Sequence, residues 1–215
     1  EKESRVENGK KEVVNRYFDP EGKLALEEKI SYRADGTMDT YWRMQHQIAE
    51  ETRMERKDDL VHFYKKFKGT EERDDEKWKG DIITTDQMVS YVYDHWDEIV
   101  AEKDLNLRVL IPSRMETVGF SVEKLKEAGE VEGKKTVVME MTPSSMIIRA
   151  FVDPIKFHYE QGDSKRLLMV DGRMSVKRKK ADGTYADAIG QLLFNYEPIL
   201  SPPPIVTPQK KKKRL

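Results

Sequence analysis

Short runs in which apolar and polar residues alternate occupy most of this chain, and a period of two predicts β-strands. Residues 1–10 are charged, carry no such pattern and are expected to be shapeless. Glu12 to Phe18 reads as a strand turned by Asp19-Pro20-Glu21-Gly22, where proline and glycine each suit a fixed backbone role. Leu24, Leu26, Ile30 and Tyr32 share one face of the next strand, interrupted by Glu28, and Asp35-Gly36 is a hairpin signal. The longest alternation follows. Met38, Thr40, Trp42, Met44, His46 and Ile48 lie on one side, with Asp39, Tyr41, Arg43, Gln45 and Gln47 opposite. It predicts a strand running on towards Arg56, a turn at Asp58-Asp59 and a return over Leu60 to Phe67. Lys68 to Lys79 is almost wholly charged and reads as an exposed, mobile loop.

The period then changes. Met88, Val89, Val92, Trp96, Ile99 and Val100 recur at helical spacing, with Asp94, Asp97 and Glu98 facing away. Thr84 with Gln87 three places on is a capping-box pattern, so one long helix is predicted from about Thr85 to Glu102. Its apolar stripe needs a sheet face to cover. Alternation resumes over Leu107–Ile111, Glu116–Val122 and Val137–Met141, with Glu123 to Glu132 as a charged hairpin loop. Thr142-Pro143 looks like the start of a short helix carrying Met146, Ile147, Ala150 and Phe151 on one face, although the same residues also suit a strand. A final meander begins at Ile155, Phe157 and Tyr159, turns at Gly162-Asp163, Asp171-Gly172 and Asp182-Gly183, and closes through Leu193 to Tyr196. The turns share chemistry without forming a repeat.

These elements predict a mainly β (α+β) fold over residues 11–197: a large antiparallel curved sheet or half-barrel covered by one long helix and a second, short one. Residues 198–215 form a Pro-rich, basic tail expected to be disordered, since Ser201-Pro202-Pro203-Pro204 favours unpaired, extended backbone.

Composition narrows the function. Charged residues make up 37% of the chain, a load that suits sheets with one wet face. The net charge of −1 averages unlike parts: without Lys210–Lys213 and Arg214 the balance is 34 basic residues against 40 acidic, or −6. The body therefore offers nucleic acid no attraction. The basic end itself reads as a solubilising tail, a contact for anionic lipid headgroups or cell-wall polymer, or a nucleic-acid or nuclear-targeting segment, in that order. There is no cysteine, which excludes thiol nucleophiles, disulfides and Cys-ligated metals. The first residue is Glu1, and a removed export signal is the expectation drawn from it.

Nothing in the sequence marks a catalytic centre. His46, His62, His95 and His158 are scattered, no nucleotide or nucleophile-elbow motif occurs, and no cofactor is implied. Carboxylates adjacent in sequence, such as Glu27-Glu28 and Glu50-Glu51, point to opposite faces of a strand, which is wrong for shared acid–base work. The ten methionines fall mostly on apolar faces and suit either core packing or an adaptable greasy surface.

The segments TTDQMVSYVYDHWDEIV, RMETVGFSVEK and KKTVVMEMTPSSMIIRAFVDPIKFHYEQGDSKRLLMVDGRMSVKRK resemble a family of bacterial envelope proteins akin to the half-barrels of the lipoprotein-localisation factors (LolA and LolB). The resemblance is one of pattern and spans roughly residues 11–197. It implies an incomplete barrel whose helix-covered concave side holds acyl chains, in the periplasm or at the inner face of the outer membrane. The expected function is non-enzymatic binding of a lipid, acyl chain or lipidated partner, with Trp42, Met44, Phe63, Met88, Trp96, Met139 and Phe157 as lining. Each buried methylene would contribute about 0.8 kcal/mol. The alternative is a filled-core module that docks another envelope protein through a strand edge or the 68–81 loop.

Overall fold

A computed structural model describes residues 1–80, 82–103, 105–150 and 152–196. The fold is mainly β and contains two sheets where the sequence predicts one. The first is a seven-stranded antiparallel meander in strict sequence order: β1 (Lys2–Glu7), β2 (Lys10–Phe18), β3 (Leu24–Tyr32), β4 (Met38–Gln45), β5 (Glu50–Lys57), β6 (Leu60–Phe67) and β7 (Thr70–Lys77). The second is eight-stranded. It contains β8 (Ile82–Ile83), β9 (Leu105–Ile111), β10 (Glu116–Lys124), β12 (Lys134–Pro143), β13 (Ile155–Glu160), β14 (Leu167–Lys179) and β15 (Tyr185–Leu193), with the short β11 (Gly129–Val131) paired beside β12. The β8–β9 pair is parallel and the others are antiparallel. Neither sheet closes into a barrel.

Residues 1–10 are not shapeless, and 68–79 are not a loop. β1 pairs along its whole length with β2, and β7 with β6. The connecting residues Asn8-Gly9 and Lys68-Gly69 all have positive φ, the backbone of the tight two-residue hairpin that matches strand twist. Both strands are exposed along nearly their full length, so hairpin geometry and backbone pairing hold them, and apolar burial does not. The same two-residue geometry at Glu132-Gly133 converts part of the expected 123–132 loop into β11.

The strand expected to continue to Arg56 is broken. β4 ends at Gln45, and residues 46–49 turn with Ala49 at φ 53°, which lacks the glycine, proline or asparagine that would announce it. A second irregularity sits earlier in β4. Tyr32 pairs with Met38 and Ser31 with Thr40, so Asp39 is an extra residue. That bulge shifts the alternation by one, and a shift of one exchanges the two faces. Met38 and Tyr41 are therefore both buried, while Thr40, Trp42 and Met44 lie on the outer side.

The predicted long helix is a broken one: a 3-10 turn (Thr85–Gln87), α1 (Met88–Asp94) and α2 (Trp96–Val100). The capping box forms, with the Thr84 backbone N–H donating to Gln87 Oε1 at 3.1 Å. The break falls at His95, whose backbone leaves helical geometry (φ −102°, ψ 18°) while its ring stacks on Tyr91. As expected from their stripe, α1 and α2 cover a sheet face. Met88, Val92, Trp96 and Ile99 pack with Val109, Phe120, Met139, Met141, Phe157 and Tyr159 of the second sheet. The second helix, α3 (Met146–Arg149), is a single turn with Ser145 at its N-cap position making no side-chain cap bond, and Pro143 ends β12 instead of starting the helix. Met146 and Ile147 are exposed, so the apolar face predicted there is not buried; Phe151 lies outside the described residues, as do 197–215.

The two sheets share a core. The inner face of the first presents the register row Val13–Ile30–Tyr41–Met54–Phe63, and Ile82 of β8 and Leu110 of β9 pack into that same cluster.

Candidate functional site

The seven expected lining residues separate into three places. Met88, Trp96, Met139 and Phe157 meet in the cluster beneath α1 and α2, where Trp96 packs edge-on against Tyr159 at 5.2 Å. Phe63 belongs to the core of the first sheet. Trp42 and Met44 lie outside both clusters, on the opposite face of that sheet. Four of the seven thus converge, and they do so as tightly buried core side chains.

A separate concavity takes in Trp42 on its floor and Phe63 in its lining. A trough of about 1300 Å³ runs along the outer face of the first sheet. Its floor consists of two register rows, each crossing all seven strands. One runs Glu3–Val14–Lys29–Trp42–Arg53–Tyr64–Arg73, the other Arg5–Glu12–Ser31–Thr40–Glu55–His62–Asp75. Side chains directly opposite in neighbouring strands share a face and touch, so the rows are continuous stripes. The first stripe alternates cations with aromatic rings. Lys29 Nζ sits 4.8 Å from the Trp42 ring centroid, and the Arg53 and Arg73 guanidiniums lie 5.4 and 5.6 Å from that of Tyr64. The second stripe is acidic and hydroxylic, with His62 Nδ1 2.7 Å from Asp75 and Arg5 paired to Glu12 at 2.5 Å. The stripes are two residues apart on each strand, roughly 7 Å.

Five basic and five acidic residues line the trough, so it carries no net field to attract a polyanion. What it offers is adjacent stripes of opposite sign with two aromatic platforms between the cations. Ion pairs and rings hold these side chains in place: the Trp42 indole N–H donates to Glu51 Oε1 at 2.8 Å, and Arg53 reaches the same carboxylate at 2.7 Å. Those two donors outweigh the desolvation of the Glu51 carboxyl and hold it below its ordinary range.

A second polar constellation is buried. One strand-step from the apolar inner row runs the register row Asn15–Glu28–Arg43–Thr52. Glu28 is 4% exposed; it accepts from the Tyr41 hydroxyl at 2.6 Å and from Asn15 Nδ2 at 3.5 Å, and Arg43 Nε lies 3.8 Å away. Arg43 also donates to Gln45 at 2.6 Å and to Glu50 at 3.3 Å. Burial raises the Glu28 carboxyl above its usual range, against the opposing pull of Tyr41 and Arg43, and raises the Tyr41 hydroxyl as well. The network ties the sheets together. Asn15 reaches Asp86 in the turn before α1 at 3.2 Å, and Gln47 is bonded both ways to the Lys177 backbone of β14, at 2.7 and 2.9 Å. With Glu28 and Arg43 buried, the arrangement suits holding the two sheets together.

The four histidines do not gather, and among the described residues no group of three or more His, Cys, Asp or Glu side chains is placed to hold a metal. His158 lies at the β11–β13 junction, its Nδ1 3.4 Å from Thr136 Oγ1, and burial pushes its ring towards the neutral form. Sequence reasoning reached only Trp42 and Phe63 of the trough's lining, because most of its other residues were read as wet strand faces and, in β1 and β7, as unstructured. The signal available was the cation–aromatic alternation across strands, which needs the register to be seen. No known protein family, curated protein or solved structure matches the chain.

Proposed function

We propose that this chain is a non-enzymatic interaction module that docks another protein in the trough of its first sheet. The observation that carries the reading is the pair of adjacent stripes across β3 to β7, one basic and aromatic and the other acidic and hydroxylic, with Glu3 and Arg5 reversing the signs at β1, set over a filled core. Such a surface is complementary to a partner element with acidic side chains along one edge and basic ones along the other; matched potentials of this kind set register and reject partners of uniform charge. An envelope setting belongs to the proposal and rests on the sequence pattern and the absence of cysteine.

The test uses the full chain, isotopically labelled, titrated with three probes of equal length: an alternating Glu/Lys peptide, polyglutamate and polylysine. The mixed peptide should shift resonances in both stripes at low salt and lose affinity as salt screens the surface. The double variant Arg53→Glu/Arg73→Glu should abolish the shifts without changing the circular dichroism spectrum. Shifts confined to one stripe, or stronger binding of either homopolymer, would refute the reading.

A second reading is favoured by one observation. Met88, Met139 and Met141 are unbranched side chains meeting beneath a cover that is broken at His95, which is where an acyl chain would enter if α1 and α2 lifted. Displacement of a fluorescent fatty acid from the purified chain, unaffected by the stripe variant, would select this reading over the first.

A further inference from the structure

Four strands form the outer edges of the two sheets, and three of them are protected against further pairing. β1 carries four charged residues in six and β7 seven in eight, while β8 is only two residues long. Charge and brevity are the ordinary devices by which edges avoid joining other sheets. β15 has neither. It is nine residues long, reads YADAIGQLL, and contains one charged side chain, Asp187. That carboxylate is already neutralised from within the sheet, by Arg173 and by Lys177 at 2.5 Å, and the two partners hold it below its ordinary range. The strand contains no proline, and Ile189, Leu192 and Leu193 are 67%, 47% and 54% exposed.

We propose that β15 pairs edge to edge, antiparallel, with β15 of a second copy of this chain, joining the two eight-stranded sheets into one continuous sheet. The strand's own sequence selects this occupant. An antiparallel pair about a two-fold axis at Ile189 places Ile189 against Ile189, Asp187 against Gln191, Ala186 against Leu192 and Tyr185 against Leu193. Ala188 falls opposite Gly190, every other apolar side chain meets an apolar one or a tyrosine, and no like charges oppose, as a self-complementary interface requires. Strand addition of this kind gains affinity from main-chain hydrogen bonds, and the free edge of β15 has no other strand beside it among the described residues. The trough lies on the other sheet, so this inference is independent of the proposed function.

Sedimentation velocity of the full chain across a micromolar concentration series is the test, combined with hydrogen exchange of the β15 amides. The expected result is a concentration-dependent dimer in which the alternate β15 amides that point away from β14 are protected in the dimer and exchange in the monomer. Ile189→Lys places two ammonium groups opposite one another at the axis, and should weaken the dimer by about tenfold or more with unchanged circular dichroism. Three results would overturn the proposal: a monomer throughout the series, a dimer that Ile189→Lys leaves intact, or a dimer that dissociates on charge reversal in the trough instead. Should Ile189→Lys fail to fold, the exchange of the outward-pointing β15 amides of the unaltered chain decides alone, because a dimer formed through any other surface leaves those amides unprotected.

Discussion

Replacing Glu28 separates the cost of burying a charge from the worth of the bonds it makes. The carboxyl is 4% exposed and its pKa is raised above 4.5, with desolvation the largest cause. A group whose folded pKa exceeds its unfolded value contributes stability that is fully present below the unfolded value and is lost as pH rises through the folded one. The wild-type chain should therefore lose stability, relative to Glu28→Gln, as pH climbs from about 4.5 towards neutrality. Gln keeps an oxygen to accept from Tyr41 and is never charged, so its own cost at low pH should stay within about 1 kcal/mol. Glu28→Ala removes the acceptor and leaves the Tyr41 hydroxyl unpartnered, about 1–3 kcal/mol, and deletes part of a buried side chain as well. Full loss of a buried ionic partner costs about 3–5 kcal/mol, but Arg43 retains Gln45 and Glu50. The expected total is about 2–4 kcal/mol. Urea unfolding of the three proteins between pH 4 and 8 measures it. If the wild-type chain instead gains on Glu28→Gln as pH rises, the carboxylate is stabilised by its partners and the desolvation argument is wrong.

Phe63→Ala should cost about 3–5 kcal/mol because the ring is 3% exposed in a packed cluster, whereas Trp42→Ala, on the trough side, should cost about 1 kcal/mol; chemical denaturation giving the reverse order would mean that Trp42 faces the core. Gly129→Ala brings a Cβ to 2.7 Å from Thr136 Oγ1 and 2.9 Å from both His158 Nδ1 and Val138 Cγ2, so about 1–3 kcal/mol should be lost in thermal unfolding. Gly119→Ala, whose nearest neighbour is Ser144 Oγ at 3.5 Å, is the matched control and should stay within about 0.5 kcal/mol.

Legibility in the sequence followed the strength of local signals. The helical stripe from Met88 to Ile99 and its Thr84–Gln87 cap were readable because spacing and capping are properties of neighbours in the chain. Four of the expected lining residues were found together for the same reason: each sits on the apolar face of a clean element. Trp42 and Met44 were misplaced by one extra residue in β4, since alternation states that two faces exist and a bulge decides which side chain reaches which. β1 and β7 went unseen because hydrophobicity carries no information about strands exposed along nearly their full length, and only the hairpins at Asn8-Gly9 and Lys68-Gly69 hold them in line.

What the sequence by itself determined is the chemistry of each short segment: mainly strands, one capped amphipathic helical region, no cysteine, and no local catalytic motif. The tertiary structure decided the rest: two sheets instead of one, a polar row sealed between them at Glu28 and Arg43, and the two striped rows of the trough. The reason is that each of those features joins residues from successive or distant strands. A buried charge such as Glu28 is tolerable only where Tyr41, Asn15 and Arg43 happen to face it, and a stripe of seven side chains exists only once seven strands are in register, a relation between segments that no single segment encodes.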